Sequence, residues 1–130
     1  MSTVDDELKY TGTHEWVRLG DNFEAVCGIS DHAQEMLTDI VFVDLPDLAL
    51  EVRQGEQIAV VESGKAVSDI FSPVTGEIIA INNALEDSPE IINSDPYGAG
   101  WIFKIDATRT SELDSLMSPD EYREYIDSGN

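Results

Sequence analysis

The chain has 130 residues, of which 27 are Asp or Glu and 7 are Lys or Arg, giving a formal net charge of −20. That length suits one domain with a real core but not a catalytic domain plus a cofactor domain. The charge excludes a binder of phosphate backbones and would repel an anionic membrane surface; it either attracts partners with basic docking faces or reflects a well-solvated, salt-adapted surface. The single cysteine, Cys27, excludes a disulfide framework and reads as a small buried hydrophobe in a reducing compartment. The acidic start Met1–Glu7 has neither a basic nor an apolar segment of signal type, and no apolar run approaches membrane-spanning length. A cytoplasmic location is therefore expected.

In chain order, Thr13–Arg18 and Phe23–Ile29 read as two strands of a hairpin around the turn-rich Gly20-Asp21-Asn22. Ser30-Asp31 offers N-caps, with Gln34 in capping-box position after Asp31, and Ala33, Met36 and Leu37 follow at helical spacing, so a short helix is expected to about Thr38. The β-branched and aromatic Ile40–Val43 predicts a strand ended by Leu45-Pro46-Asp47, then a loop up to Val52. From Val52 to Asn82 the pattern is strand, hairpin, strand, turn, strand. Gly55-Glu56 and Gly76-Glu77 each precede an apolar run, an echo placed almost evenly about Lys65 that suggests approximate two-fold internal symmetry. Ser88-Pro89-Glu90 predicts the start of a short helix stopped by Asn93–Pro96. Trp101–Ile105 predicts a strand that closes the sheet and buries Trp101, Phe103 and Ile105 on one face. Ser111 and Ser118 predict two helix starts, the second a capping box with Glu121 ahead of Tyr122, Tyr125 and Ile126. The result is one mainly β domain over 1–130, with its core at about 8–106, short peripheral helices and a C-terminal helical segment at about 111–127.

Within it, Val60–Phe71 has two apolar arms and a polar tip at Gly64-Lys65. Glycine suits the positive φ of the first central position of a type II′ turn, which would display Lys65 to water. The chain has only three lysines (Lys9, Lys65, Lys104), so a displayed cation on so acidic a protein requires an explanation. Rival chemistries are thin. His14 and His32 are the only histidines and no nucleophile-elbow motif is present, which argues against triad chemistry. Two histidines and one cysteine are too few and too scattered for a zinc site. A phosphate loop fails because Ala66 follows Lys65, Ala59 replaces the leading glycine, and strand signals follow. What remains is covalent modification of Lys65, by which a small protein gains chemistry that its own side chains lack.

Glu62-Ser63-Gly64-Lys65-Ala66-Val67-Ser68-Asp69 resembles the lipoylation site of the glycine cleavage system H protein family. Leu8-Lys9-Tyr10, His14-Glu15-Trp16, Gly28–Gln34, Val41–Pro46, Ser72–Glu77, Asn93–Tyr97 and Gly100-Trp101 extend the resemblance over nearly the whole chain. It implies a lipoyl/biotinyl-type antiparallel β-sandwich (barrel-sandwich hybrid) and a non-catalytic carrier with lipoate in amide linkage to Lys65. The arm would take an aminomethyl group from glycine at the pyridoxal-phosphate-dependent decarboxylase. It would pass that carbon to tetrahydrofolate on the aminomethyltransferase and be reoxidised by the flavin-dependent dihydrolipoyl dehydrogenase; a lipoyl-attaching enzyme is a further implied partner. The resemblance also implies a surface cleft that shelters the loaded arm, with Glu15 and Asp69 as its acids and Thr13 beside them; as residues alone, these acids read equally well as solvated surface carboxylates. His14 reads as structural, and Trp16 and Trp101 as core. Many members carry a bulkier residue, often valine, in place of Gly64, so this chain departs from the family pattern in its turn, formed by Ser63 and Gly64. The alternatives are a lipoyl module of another complex, an H-like lipoyl relay to other enzymes, and an unmodified acidic interaction module. Biotin is disfavoured because Gly64 and Ala66, not methionines, flank the lysine.

Overall fold

Alternation of buried and exposed residues along Glu24–Ile29 and Phe103–Ala107 gives each segment one apolar face, and a strand so patterned must bury that face against another layer. In the computed structural model, which describes residues 2–130, the second layer is another sheet. The strands are β1 (Lys9–Tyr10), β2 (Glu15–Leu19), β3 (Glu24–Ile29), β4 (Ile40–Asp44), β5 (Glu51–Val52), β6 (Gln57–Ser63), β7 (Val67–Phe71), β8 (Gly76–Ile81) and β9 (Phe103–Ala107). They form a six-stranded sheet in the order β1-β2-β3-β9-β8-β5 and a three-stranded sheet in the order β4-β6-β7. Every pairing is antiparallel, so the architecture is the expected β-sandwich.

The main core lies where the inner faces meet: Val61 and Ile70 from the smaller sheet, and Cys27, Ile78, Phe103 and Ile105 from the larger. Each is at most 2 % exposed, and burying such a side chain contributes about 1.5–3 kcal/mol before ordering costs. Cys27 is a free, buried thiol, as its apolar surroundings in sequence predicted. A second cluster of Leu8, Tyr10, Trp16 and Tyr122 pins the C-terminal helix α4 (Pro119–Asp127) beside β1, with Tyr10 and Tyr122 stacked at 4.2 Å. Gly28 lies opposite Trp16 in the β2–β3 ladder, and a Cβ there would meet the indole at 2.9 Å, so glycine at this position lets the ring lie flat on the strand.

Several local expectations change. Helix α1 (Asp31–Leu37) is capped by Ser30, whose Oγ accepts from Ala33 N at 3.2 Å; Gln34 instead donates to the Asp31 side chain, so there is no Asp31–Gln34 capping box. Two one-turn helices, α2 (Ala84–Asp87) and α3 (Ile91–Ser94), occupy the region where one was expected. Ser88 ends α2 instead of capping α3, which starts after Glu90 without a side-chain cap. β9 lies between β3 and β8, inside the larger sheet, and begins at Phe103. Trp101 therefore precedes the strand and is only partly buried, with Lys104 Nζ 5.0 Å from its ring centroid. The Ser111 segment is a 3-10 turn, Thr110–Ser115, whereas the Ser118–Glu121 capping box forms as expected. The short strands β1 and β5 carry too little pattern to be read from sequence. The two Gly-Glu units diverge: β6 joins the smaller sheet and β8 the larger. No helix among the described residues is long and apolar enough to cross a membrane.

Candidate functional site

β6 and β7 pair up to Glu62↔Val67, leaving Ser63–Ala66 to turn the chain. The type II′ turn expected from Gly64 does not form: the positive-φ glycines among the described residues are Gly55 and Gly129. Ser63 takes over the work. Its backbone N donates to Ala66 O at 2.8 Å, and its Oγ accepts from Lys65 N at 3.2 Å and Ala66 N at 3.0 Å. A hydroxyl that satisfies two turn amides removes the need for a left-handed residue. Gly64 is therefore a choice of size, not of conformation, and a Cβ there meets nothing within 4 Å. Lys65 is exposed at the tip, and both ion pairs among the described residues belong to Arg123, so the ammonium is held by no carboxylate.

Glu15 is built the opposite way. It opens β2, is 1 % exposed, and its Oε1 accepts from Thr11 Oγ1 and Thr13 Oγ1, each at 2.5 Å. Its Oε2 accepts from Phe71 N at 3.2 Å, and Thr11 Oγ1 also accepts from Glu15 N at 3.0 Å. Because Phe71 N lies on β7, at an edge of the smaller sheet, the carboxylate fastens the two sheets together there. Burial pushes the Glu15 pKa above its ordinary value, while the threonine hydroxyls and the Phe71 amide oppose that rise. A pocket of about 220 Å³ opens beside this carboxylate, with Thr11, Thr13, Phe71 and Pro73 among its walls.

The structure thus brings Thr13 and Glu15 into direct contact and leaves Asp69 apart from them. Asp69 is exposed, forms no side-chain hydrogen bond among the described residues, and does not line that pocket. It shares the outer face of β7 with Val67 and Phe71, on a path from the Lys65 turn towards Glu15. Sequence reading missed Thr11 and the Phe71 amide. The spacing Thr11-x-Thr13-x-Glu15 carries a signal for the first; nothing in sequence marks a backbone N–H for the second. His14 is half-buried at φ 72°, its Nδ1 2.7 Å from Tyr122 Oη, a structural position. Burial, reinforced by nearby His32, lowers its pKa.

Comparison with known proteins agrees with this architecture. The family model described as glycine cleavage H-protein matches residues 8–129. The chain is 54 % identical over 127 residues to the glycine cleavage system H protein of Aeromonas hydrophila, covering 98 % of each sequence. It is 55 % identical over 124 residues to that of Vibrio campbellii, covering 95 % of this chain and 98 % of the relative. The crystal structure of a glycine cleavage system H protein from Mycobacterium marinum superposes with a TM-score of 0.86 at 34 % identity, covering 97 % of this chain and 98 % of that one. With family model, relatives and fold in agreement over almost every residue, the chain belongs to the glycine cleavage H-protein family.

Proposed function

We propose that this chain is a single lipoyl-carrier domain of the glycine cleavage system with Lys65 as its attachment residue, catalysing none of the steps itself. The observation that carries the reading is the pairing of a free, exposed lysine on a tight turn with a buried carboxylate that has no basic partner. The residues fit the group. Lys65 Nζ has no ion pair to break, the space around Gly64 is open, and Ser63 fixes the base of the arm. When bound, lipoate supplies a dithiolane that accepts the aminomethyl group of glycine and is reoxidised after delivery.

The chain's own part is positional. A rigid turn with a long tether raises the effective concentration of the arm's end at each partner's site. Asp69 offers an exposed charge along the path, and Glu15 offers a buried one beside the pocket, already desolvated and fixed by Thr11 and Thr13. A cationic amine brought to Glu15 would meet a carboxylate whose burial has not been offset by any ion pair, which makes the contact stronger than at a solvated acid. In this reading the partners are the pyridoxal-phosphate-dependent decarboxylase, the tetrahydrofolate-dependent aminomethyltransferase, the flavin-dependent dihydrolipoyl dehydrogenase and the lipoyl-attaching enzyme, all in the cytoplasm.

Glycine decarboxylation reconstituted from the lipoylated chain and these enzymes tests the proposal. Release of carbon dioxide that depends on the chain and is lost in Lys65→Arg is the expected result. A modified chain that supports no glycine decarboxylation would point instead to a lipoyl relay serving other enzymes.

A further inference from the structure

The chain has seven basic residues against 27 acids, so the place of each cation carries information. Lys65 is the proposed attachment residue, Arg123 is ion-paired to Asp6 and Asp120, and Arg18 and Lys104 lie over the Trp16 and Trp101 rings at 5.3 and 5.0 Å. Of the other three, Lys9 stands on β1, whereas Arg53 and Arg109 line one cavity of about 410 Å³ with Gln54, Thr75 and Glu112. Both arginines are exposed, and among the described residues neither guanidinium makes a hydrogen bond or an ion pair. The carboxylate in the same cavity is spent elsewhere: Glu112 Oε1 accepts from Thr75 N and its Oε2 from Thr75 Oγ1, each at 2.7 Å. Acids surround the pair. The adjoining cavity shares Arg53 and Thr75 and adds Glu51, Glu56, Glu77 and Asp106. Glu51, Glu77 and Asp106 sit directly opposite one another across β5, β8 and β9, a like-charge row that costs stability in the isolated chain. On its other side the arginine cavity shares Gln54 with the pocket beside Glu15. Gln54 Nε2 donates to Pro73 O at 3.1 Å and to Ser115 Oγ at 3.2 Å, which fixes the wall between the two.

We propose that Arg53 and Arg109 form a docking key for the enzyme that takes the loaded arm's end from the Glu15 pocket, the aminomethyltransferase, which presents carboxylates to the pair from within a surround of Lys or Arg. The inference rests on Lys65 as the carrier residue and Glu15 as the receiving group. Charge selects a protein as the occupant. A free anion would have to approach a chain of net charge −20 and settle among five carboxylates, for two exposed guanidiniums that water already solvates. A protein whose basic residues meet those carboxylates reverses that balance, and the arginines mark where its sign must invert. The planar fork of Arg holds a carboxylate in one orientation, which fixes the register of docking more than it adds affinity. Position selects the enzyme. Loading takes place on an arm that is not yet sheltered, whereas unloading requires an enzyme that reaches the Glu15 pocket, and the arginine cavity adjoins that pocket at Gln54.

The test uses the full lipoylated chain with the decarboxylase and the aminomethyltransferase of its host. Arg53→Glu/Arg109→Glu should raise the chain's KM in aminomethyl transfer to tetrahydrofolate about tenfold, with kcat within about twofold of wild type. Arg53→Lys/Arg109→Lys keeps the charge and loses the fork, and should raise KM about threefold. Carbon dioxide release at the decarboxylase, which this key does not serve, should have the same KM for all three chains and so also reports that the variants fold. A transfer KM within about twofold of wild type in the Glu variant, or an equal rise at the decarboxylase, would overturn the docking key. Inorganic phosphate or citrate that raised the thermal midpoint of the wild type but not of the Glu variant would assign the pair to a free anion and overturn it as well. A wild-type chain that supports neither reaction would remove the carrier reading itself; one that supports both, with variants indistinguishable from it, would remove the docking key alone.

Discussion

The Lys65 turn and the Glu15 clasp stand at opposite ends of β7 and solve opposite problems. At the turn, one serine side chain holds the backbone, and the lysine itself makes no contact that folding depends on. At the clasp, a charged group is drawn out of water and held by two hydroxyls and the amide of a strand from the other sheet. On the proposed reading, the group that travels is attached where the fold invests little in it, and the group that receives is fixed where the fold invests heavily. Substitutions at the two places should therefore separate stability from chemistry.

The largest effect on stability is expected at the clasp. Glu15→Ala leaves Phe71 N–H unpaired at the sheet junction and should cost about 2–3 kcal/mol in urea unfolding, whereas Lys65→Arg should stay within about 0.5 kcal/mol. Comparable losses at both sites would erase the contrast. Next comes the turn: Ser63→Ala removes the acceptor for Lys65 N and Ala66 N and should cost about 1 kcal/mol, with exchange protection lost at those two amides first.

A smaller effect sharpens the comparison through pH. The Glu15 pKa is raised in the folded chain, so the protonated form is favoured by folding. That contribution is fully present below the ordinary carboxylate value of 4.5 and is lost as pH rises through the folded value. Wild type should therefore lose stability relative to Glu15→Gln as pH rises above 4.5 and through the raised folded value; a difference that does not change with pH would show that burial imposes no charge penalty there. Smallest of all, Gly64→Val should change stability by less than about 0.5 kcal/mol and keep or improve acylation, because its Cβ enters open space at a backbone angle that any residue adopts. A severe loss of lipoylation in that variant would mean the turn requires glycine after all.

Much of this was legible in the sequence because it depends on local pattern. The apolar arms Val60-Val61 and Ile70-Phe71 around a polar tip give a hairpin in any context, and the Ser118–Glu121 box depends on four consecutive residues. The turn type is not legible there, because Gly64 invites a left-handed conformation that Ser63 makes unnecessary. Glu15 in sequence is one carboxylate among 27 acidic residues; only the approach of the Phe71 amide, 56 positions away, distinguishes it from a solvated one. The aromatic alternation Trp101-Ile102-Phe103 predicts a strand from Trp101, yet the ladder starts two residues later, because β9 is fixed by its neighbours β3 and β8. The β-branched and aromatic run Ile40–Val43 predicts Phe42 as a strand residue, but its exposure comes from a bulge that alternation cannot foresee.

The central claim is that Lys65 is the point at which this acidic chain gains its chemistry. Intact-mass measurement on wild-type and Lys65→Arg chains purified from the native host tests it most directly. The account predicts a lipoyl mass addition on the wild type that maps to the peptide containing Lys65 and is absent from the variant. An unmodified wild-type chain, or an addition that survives Lys65→Arg, would contradict it.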